Sequence, residues 1–136
     1  MTADYIIKIL KSCECLTGFQ IAADYLGKEN NSVCVAPCGG EYSSRLYCDG
    51  SGIFFRDFEL YFRLSGGRSE AAQNRRFFET LSGELCDFGK AHTFPEFKDS
   101  EIPTETAIVE DAAVLEDELH SIKYKTVIRL YYFKKK

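Results

Sequence analysis

Residues 121–133 read SIKYKTVIRLYYF and run into Lys134, Lys135 and Lys136. Successive side chains of a strand alternate between its two faces. Ile122, Tyr124, Thr126, Ile128, Leu130 and Tyr132 therefore share one face, and Lys123, Lys125, Val127, Arg129, Tyr131 and Phe133 share the other. The first face is apolar almost throughout, whereas the second begins polar and turns apolar toward its end. A strand of about 12 residues spans about 40 Å at about 3.3 Å per residue, against a diameter of roughly 36 Å for a compact chain of this length. The stretch thus predicts a sheet that crosses the whole molecule, with its even face resting on a long helix. Its odd face then needs cover at Val127, Tyr131 and Phe133 from the first helix, a crossing loop or a neighbouring subunit.

A partner strand precedes it. Residues 53–66, IFFRDFELYFRLSG, put Phe54, Phe58, Leu60, Phe62 and Leu64 on one face, with Arg56 the exception, and Asp57, Glu59 and Arg63 on the other. After a Gly66-Gly67 turn, Ser69 can cap a helix running to about Phe88, whose Phe77, Phe78, Leu81, Leu85 and Phe88 form one stripe. That helix is expected to lie across the apolar face of the sheet. Residues 3–12 carry Ile6, Ile7, Ile9 and Leu10 at helical spacing, with Thr2 as cap and Gly18 ending the region.

Between these, FQIAADYLG (19–27), SVCVAPC (32–38) and EYSSRLYCDG (41–50) are β-prone and punctuated by Gly27, Asn30-Asn31 and Pro37-Cys38-Gly39-Gly40. They predict a small antiparallel meander. Residues 89–103, with Gly89, Pro95 and Pro103, read as loop; TETAIVED (104–111) reads as strand; AAVLEDELHS (112–121) suits either a strand and turn or one helical turn. The expected fold class is α+β: a mainly antiparallel sheet with one long helix packed on one face and a short N-terminal helix, residues 1–136 forming a single domain.

With 45% hydrophobic residues and 28% charged, the chain has the apolar content for a sizeable core and is not expected to be disordered. Its longest helical apolar stretch, DYIIKILKSC, is broken by Lys8 and Lys11 well short of the roughly 18 residues of a membrane span. The same lysines, with Asp4, argue against a signal peptide, so a cytoplasm is the expected compartment and no membrane partner is expected. In that reducing setting the six cysteines are not expected to form a disulfide framework. Cys13-x-Cys15 and Cys34-x3-Cys38 lack the paired C-x2-C of common zinc knuckles, although longer ligand spacings occur. Free thiols acting as small hydrophobes are the simpler reading, with no cofactor or metal, and convergence of Cys13, Cys15, Cys34 and Cys38 stays open.

Signals for catalysis are sparse. His92 and His120 both fall near loops, and a Cys86/His92 nucleophile and base lacks any local signature. The glycines of 50–52 and 65–67 fit neither phosphate-cradling pattern and read as turns. Arg129, Tyr131, Phe133 and the lysines interleave charge and aromatics as single-strand binders do, but a pI near 5.2 is unlike a basic footprint. The sharper electrostatic feature is segregation. From Glu101 to Glu118 the chain holds Glu101, Glu105, Glu110, Asp111, Glu116, Asp117 and Glu118 without a Lys or Arg; from Lys123 to Lys136 it holds six cations without an acid. This is either a solvated acidic loop before a basic strand, or a pair of opposite fields that favours head-to-tail contact between copies. Arg129, Tyr131, Phe133, Lys134, Glu110, Asp111 and Glu116 are the candidate subunit interface, and Arg129→Glu is expected to disturb assembly more than folding.

The order of YIIKILKSC, AADYLG, YCDGS, FFRDFELYF, NRRFFETLSGEL and YKTVIRLYYFK along nearly the whole chain resembles the phage minor capsid proteins related to the tail terminators of long-tailed bacteriophages. The order and spacing carry the likeness, since none of these segments is specific alone. Two features depart from it: this chain has no Trp toward the end of the long helix, where Leu81, Leu85 or Phe88 can fill the space, and residues 94–118 are unusually acidic. The resemblance implies a non-enzymatic structural virion protein of a bacteriophage or prophage, made in the host cytoplasm. Such a protein forms a homo-oligomeric ring, commonly a hexamer, that caps the tail tube and meets the head connector, with nucleic acid only as DNA passing through the ring. The other reading is a non-catalytic ligand- or protein-binding α+β domain.

Overall fold

The structure, a computed structural model, describes residues 3–66, 68–91, 93–96, 100–118 and 120–135. Along the chain follow helix α1 (Ala3–Lys11), a 3-10 turn (Glu14–Leu16), strands β1 (Gln20–Ala23), β2 (Ser32–Leu46) and β3 (Gly52–Ser65), helix α2 (Arg68–Ala91), and strands β4 (Glu101–Asp117) and β5 (Ser121–Lys134). The strands form one mixed sheet in the order β1-β2-β3-β5-β4. The fold is α+β.

The two strands with the clearest alternation occupy adjacent places in the middle of this sheet. β3 and β5 pair antiparallel without a register shift from Gly52 opposite Lys134 to Ser65 opposite Ser121, so Phe58 faces Ile128 and Phe62 faces Tyr124. Their even residues form one face with Val33 and Val35 of β2, and these join the buried residues of both helices in one core. Helix α2 meets that face through Phe78, whose ring lies 5.2 Å from Phe62 and 5.0 Å from Tyr124, and through fully buried Leu81 and Leu85. Removing a leucine side chain from water stabilises by about 1.5–3 kcal/mol. The Thr106 hydroxyl of β4 donates to the Leu85 carbonyl at 2.7 Å and ties helix to strand. On α1, Tyr5, Ile6, Ile9 and Leu10 are buried in the same core, as the i, i+3, i+4 spacing predicts.

Four expectations change. β1 and β2 run parallel, with Gln20 opposite Ser32 and Ala23 opposite Val35, so the N-terminal strands are not an antiparallel meander. The intervening segment turns back through Asp24 and Asn31, both at positive φ, which Asp and Asn tolerate better than most residues. Pro37-Cys38-Gly39-Gly40 does not end a strand; β2 continues through it with a bulge between Cys38 and Glu41, where Gly39 takes φ +80. Helix α2 runs past Phe88 to Ala91, and a Cβ at Gly89 would stand 3.0 Å from the Thr104 carbonyl, so glycine there admits the strand. Finally, β4 begins at Glu101 and includes Pro103, which an edge strand accepts, and it extends through the ambiguous 112–117 stretch. Thr2 and the Ser69 side chain lie outside the described residues.

Candidate assembly surface

Both helices join the core on the even side of the sheet. Among the described residues no helix covers the odd side, where a ladder of cross-strand partners does so instead. Val127 is buried there, flanked by Glu59 of β3 and Glu110 of β4. The Arg129 guanidinium donates from Nε to Asp57 Oδ1 at 2.7 Å and from Nη2 to Oδ2 at 3.1 Å, a bidentate pair, and it sits 4.2 Å from the Phe55 ring centroid. Those hydrogen bonds from Arg129 to Asp57 raise its pKa further above its usual value. Lys125 pairs with Glu59 at 3.5 Å, and the Tyr61 hydroxyl donates to the same carboxylate.

Toward the Lys134 end the ladder turns aromatic. Phe55 lies 5.6 Å from Tyr42 on one side and 5.6 Å from Tyr131 on the other, and Phe133 lies 6.3 Å from Tyr47. Tyr131 and Phe133 are half-buried by these lateral neighbours. The cover sought for the odd face thus comes from adjacent strands and, at Phe133, from Tyr47 in the β2–β3 turn, not from α1. Lys134 is on the other side of the sheet, 3.1 Å from Glu41, which also accepts a hydrogen bond from buried Tyr132. Burial opposes ionisation of Glu41, but the bonds from Tyr132 and Lys134 hold its pKa below the ordinary value.

The acidic and basic runs are hydrogen-bonded neighbours, since β4 pairs with β5 along its length and puts Glu116 opposite Lys123 and Glu110 opposite Val127. The cations of β5 form their ion pairs with other strands, Lys125 with Glu59 and Arg129 with Asp57 of β3, and Lys134 with Glu41 of β2. Glu110, Asp111 and Glu116 nevertheless remain exposed along the outer strand. The structure brings Arg129, Tyr131 and Phe133 together on the odd face and puts Lys134 on the other, while Glu110 and Glu116 stand opposite Val127 and Lys123 of the odd face on the outer strand.

The exposed large hydrophobic residues were not singled out from sequence. Six of those described fall in two groups: Tyr42, Leu46 and Tyr47 at the β2–β3 turn, and Val109, Val114 and Leu115 on the distal half of β4. These groups sit at diagonally opposite corners, because Leu46 pairs with Gly52 beside Lys134, whereas Val114 pairs with Tyr124 beside Phe62. Beside the second corner a groove of about 760 Å³ opens between α2 and β4, lined by Phe78, Ile108, Ala112, Val114 and Tyr124, with Arg75, Glu79 and Asp111 adding charge. The YCDG turn signal marked the first corner, but periodicity held no sign of the second.

Other candidates stay dispersed. The six cysteines are free thiols. Cys13 and Cys15 lie near Glu84 behind the core, and burial pushes the Cys13 thiol up to about 12. Cys34 and Cys38 lie along β2 instead. Among the described residues no three His, Cys, Asp or Glu side chains converge as a metal site would require. His92 is outside the described residues, and His120 is exposed in the turn before β5. No helix of the described residues is long and apolar enough to cross a membrane. No protein-family model matches the chain, and no curated protein matches it.

Proposed function

We propose that this protein is a structural virion protein of a bacteriophage or prophage, a tail terminator or minor capsid protein that closes into a homo-oligomeric ring, commonly a hexamer. The ring caps the tail tube and joins it to the head connector, and DNA passes through it. On this reading the protein catalyses no reaction; it acts in the host cytoplasm during assembly and then in the virion. Its mechanism is geometric: a heterologous contact repeats until rotation closes it, and occupation of the tube end removes the site for the next tube subunit.

Two things support this reading. One is the resemblance of the order of its sequence segments to that of tail terminators. The observation that carries it further is the split of exposed apolar side chains into two opposite corners, Leu46 with Tyr47 and Val114 with Leu115, since contiguous exposed apolar patches mark interaction surfaces and two different patches suit head-to-tail association. The test is electron microscopy of tail-tube polymerisation with and without the protein. Tubes of uniform length bearing a ring at one end are expected; unchanged length distributions and bare ends would exclude the role.

The groove beside α2 favours a second reading, a ligand- or protein-binding domain, because its volume falls in the roughly 300–1,000 Å³ range of ligand pockets. A strictly monomeric protein would favour that reading.

A further inference from the structure

We propose that the β2–β3 turn of one copy, led by Leu46 and Tyr47, seats in the groove between α2 and β4 of the next copy. This rests on the ring reading above and names its contact. Leu46 is 64% exposed, and Tyr47, which meets Phe133 on one side, is 43% exposed, so the turn presents two large apolar side chains at the surface. The groove offers a matching apolar floor in Phe78, Ala112 and Tyr124, with Val114 at 55% exposure beside it.

The charges also match. The turn carries a cation and an anion, Arg45 and Asp49, and the groove carries Glu79 and Asp111 as anions and Arg75 as cation. A neighbouring copy fits both the apolar and the charged parts, because opposite charges across an interface fix register and suppress wrong partners. The turn and the groove are different surfaces at opposite corners of one sheet. Each copy therefore gives its turn to one neighbour and its groove to another, which generates a ring where the rotation closes.

The turn already bears an exposed thiol, Cys48, which makes the contact testable by cross-linking. Burial raises the thiol pKa values of Cys13, Cys15 and Cys34 and keeps them out of exchange. With Cys38→Ser and Cys86→Ser as background, Ala112→Cys adds a thiol in the groove. Mild oxidation with copper phenanthroline then joins position 48 of one copy to position 112 of the next. The expected product on a non-reducing gel is a ladder of dimers, trimers and higher species, abolished by Cys48→Ser. A product that stops at dimers overturns the proposal.

Sedimentation of the unaltered protein separates the two layers of inference. An oligomer that yields no ladder overturns the turn-in-groove contact alone, and a monomer that yields no ladder overturns the ring as well. A second pair of variants needs no oxidation. Leu46→Glu and Ala112→Trp should each weaken self-association at least tenfold with an unchanged circular dichroism spectrum, and mixing them should restore one contact and stop at a heterodimer. Failure of the mixture to associate while the unaltered protein does so contradicts the proposal.

Discussion

Glu59 illustrates how the odd face of the sheet responds to pH. The Tyr61 hydroxyl, and then Lys125, hold its pKa below the ordinary 4.5. A carboxylate depressed in the folded state contributes stability that is present above its unfolded pKa and lost as pH falls through the folded value. Urea midpoints should therefore fall as pH drops below about 4.5, and Glu59→Gln should flatten that acid limb. The same bond raises Tyr61 from 10 to about 12, so its share is lost as pH rises across that interval. Arg129 has a structural role that its position in a basic run did not reveal. Arg129→Glu breaks the bidentate pair and sets a carboxylate beside Asp57, so it should cost the fold about 1–2 kcal/mol in chemical denaturation as well as any assembly effect. The alternation of β5 showed which face Arg129 takes. Its partner became visible only when the register put Asp57 directly opposite.

At the scale of elements, legibility followed regularity. β3, β5 and the stripe of α2 were readable because their side chains keep period 2 or 3.6 over many residues, with Arg56 the one break in β3. β4 was readable as strand only over 104–111, since its pairing with β5 slips between Pro103 and Glu105, Ile108 and Glu110, Glu110 and Ala113, and Val114 and Glu116. Each slip reverses the face of every later residue, which is why 112–117 fitted strand and helix alike. The parallel β1 escaped for another reason, as four residues carry no sign of strand direction. Three substitutions probe α2 and its junction with β4 by thermal and urea unfolding. Thr106→Val should cost about 0.5–1.5 kcal/mol through the lost bond to the Leu85 carbonyl. Gly83→Ala, where an added Cβ meets nothing within 4 Å, should stabilise by about 0.5–1 kcal/mol; Gly89→Ala should gain less, because its Cβ meets the Thr104 carbonyl.

For the whole molecule, the sheet has one face built into a core and one face finished by its own ion pairs and aromatics. Lys125, Arg129 and Lys134 of the basic β5 pair inside the chain with Glu59, Asp57 and Glu41, whereas Glu110, Asp111 and Glu116 of the acidic β4 stay exposed. The exposed apolar side chains gather at two corners, and burial there should drive self-association more than charge pairing does. Raising the ionic strength should weaken it by less than an order of magnitude, because screening acts on the exposed charges and leaves apolar burial in place. Sedimentation at low and high salt measures this. Native mass spectrometry at high protein concentration tests the ring itself most directly. One closed species is expected, a fixed small multiple of the 15.4 kDa chain, commonly six copies, with no larger series. A monomer at every concentration, or an open series growing without limit, contradicts it.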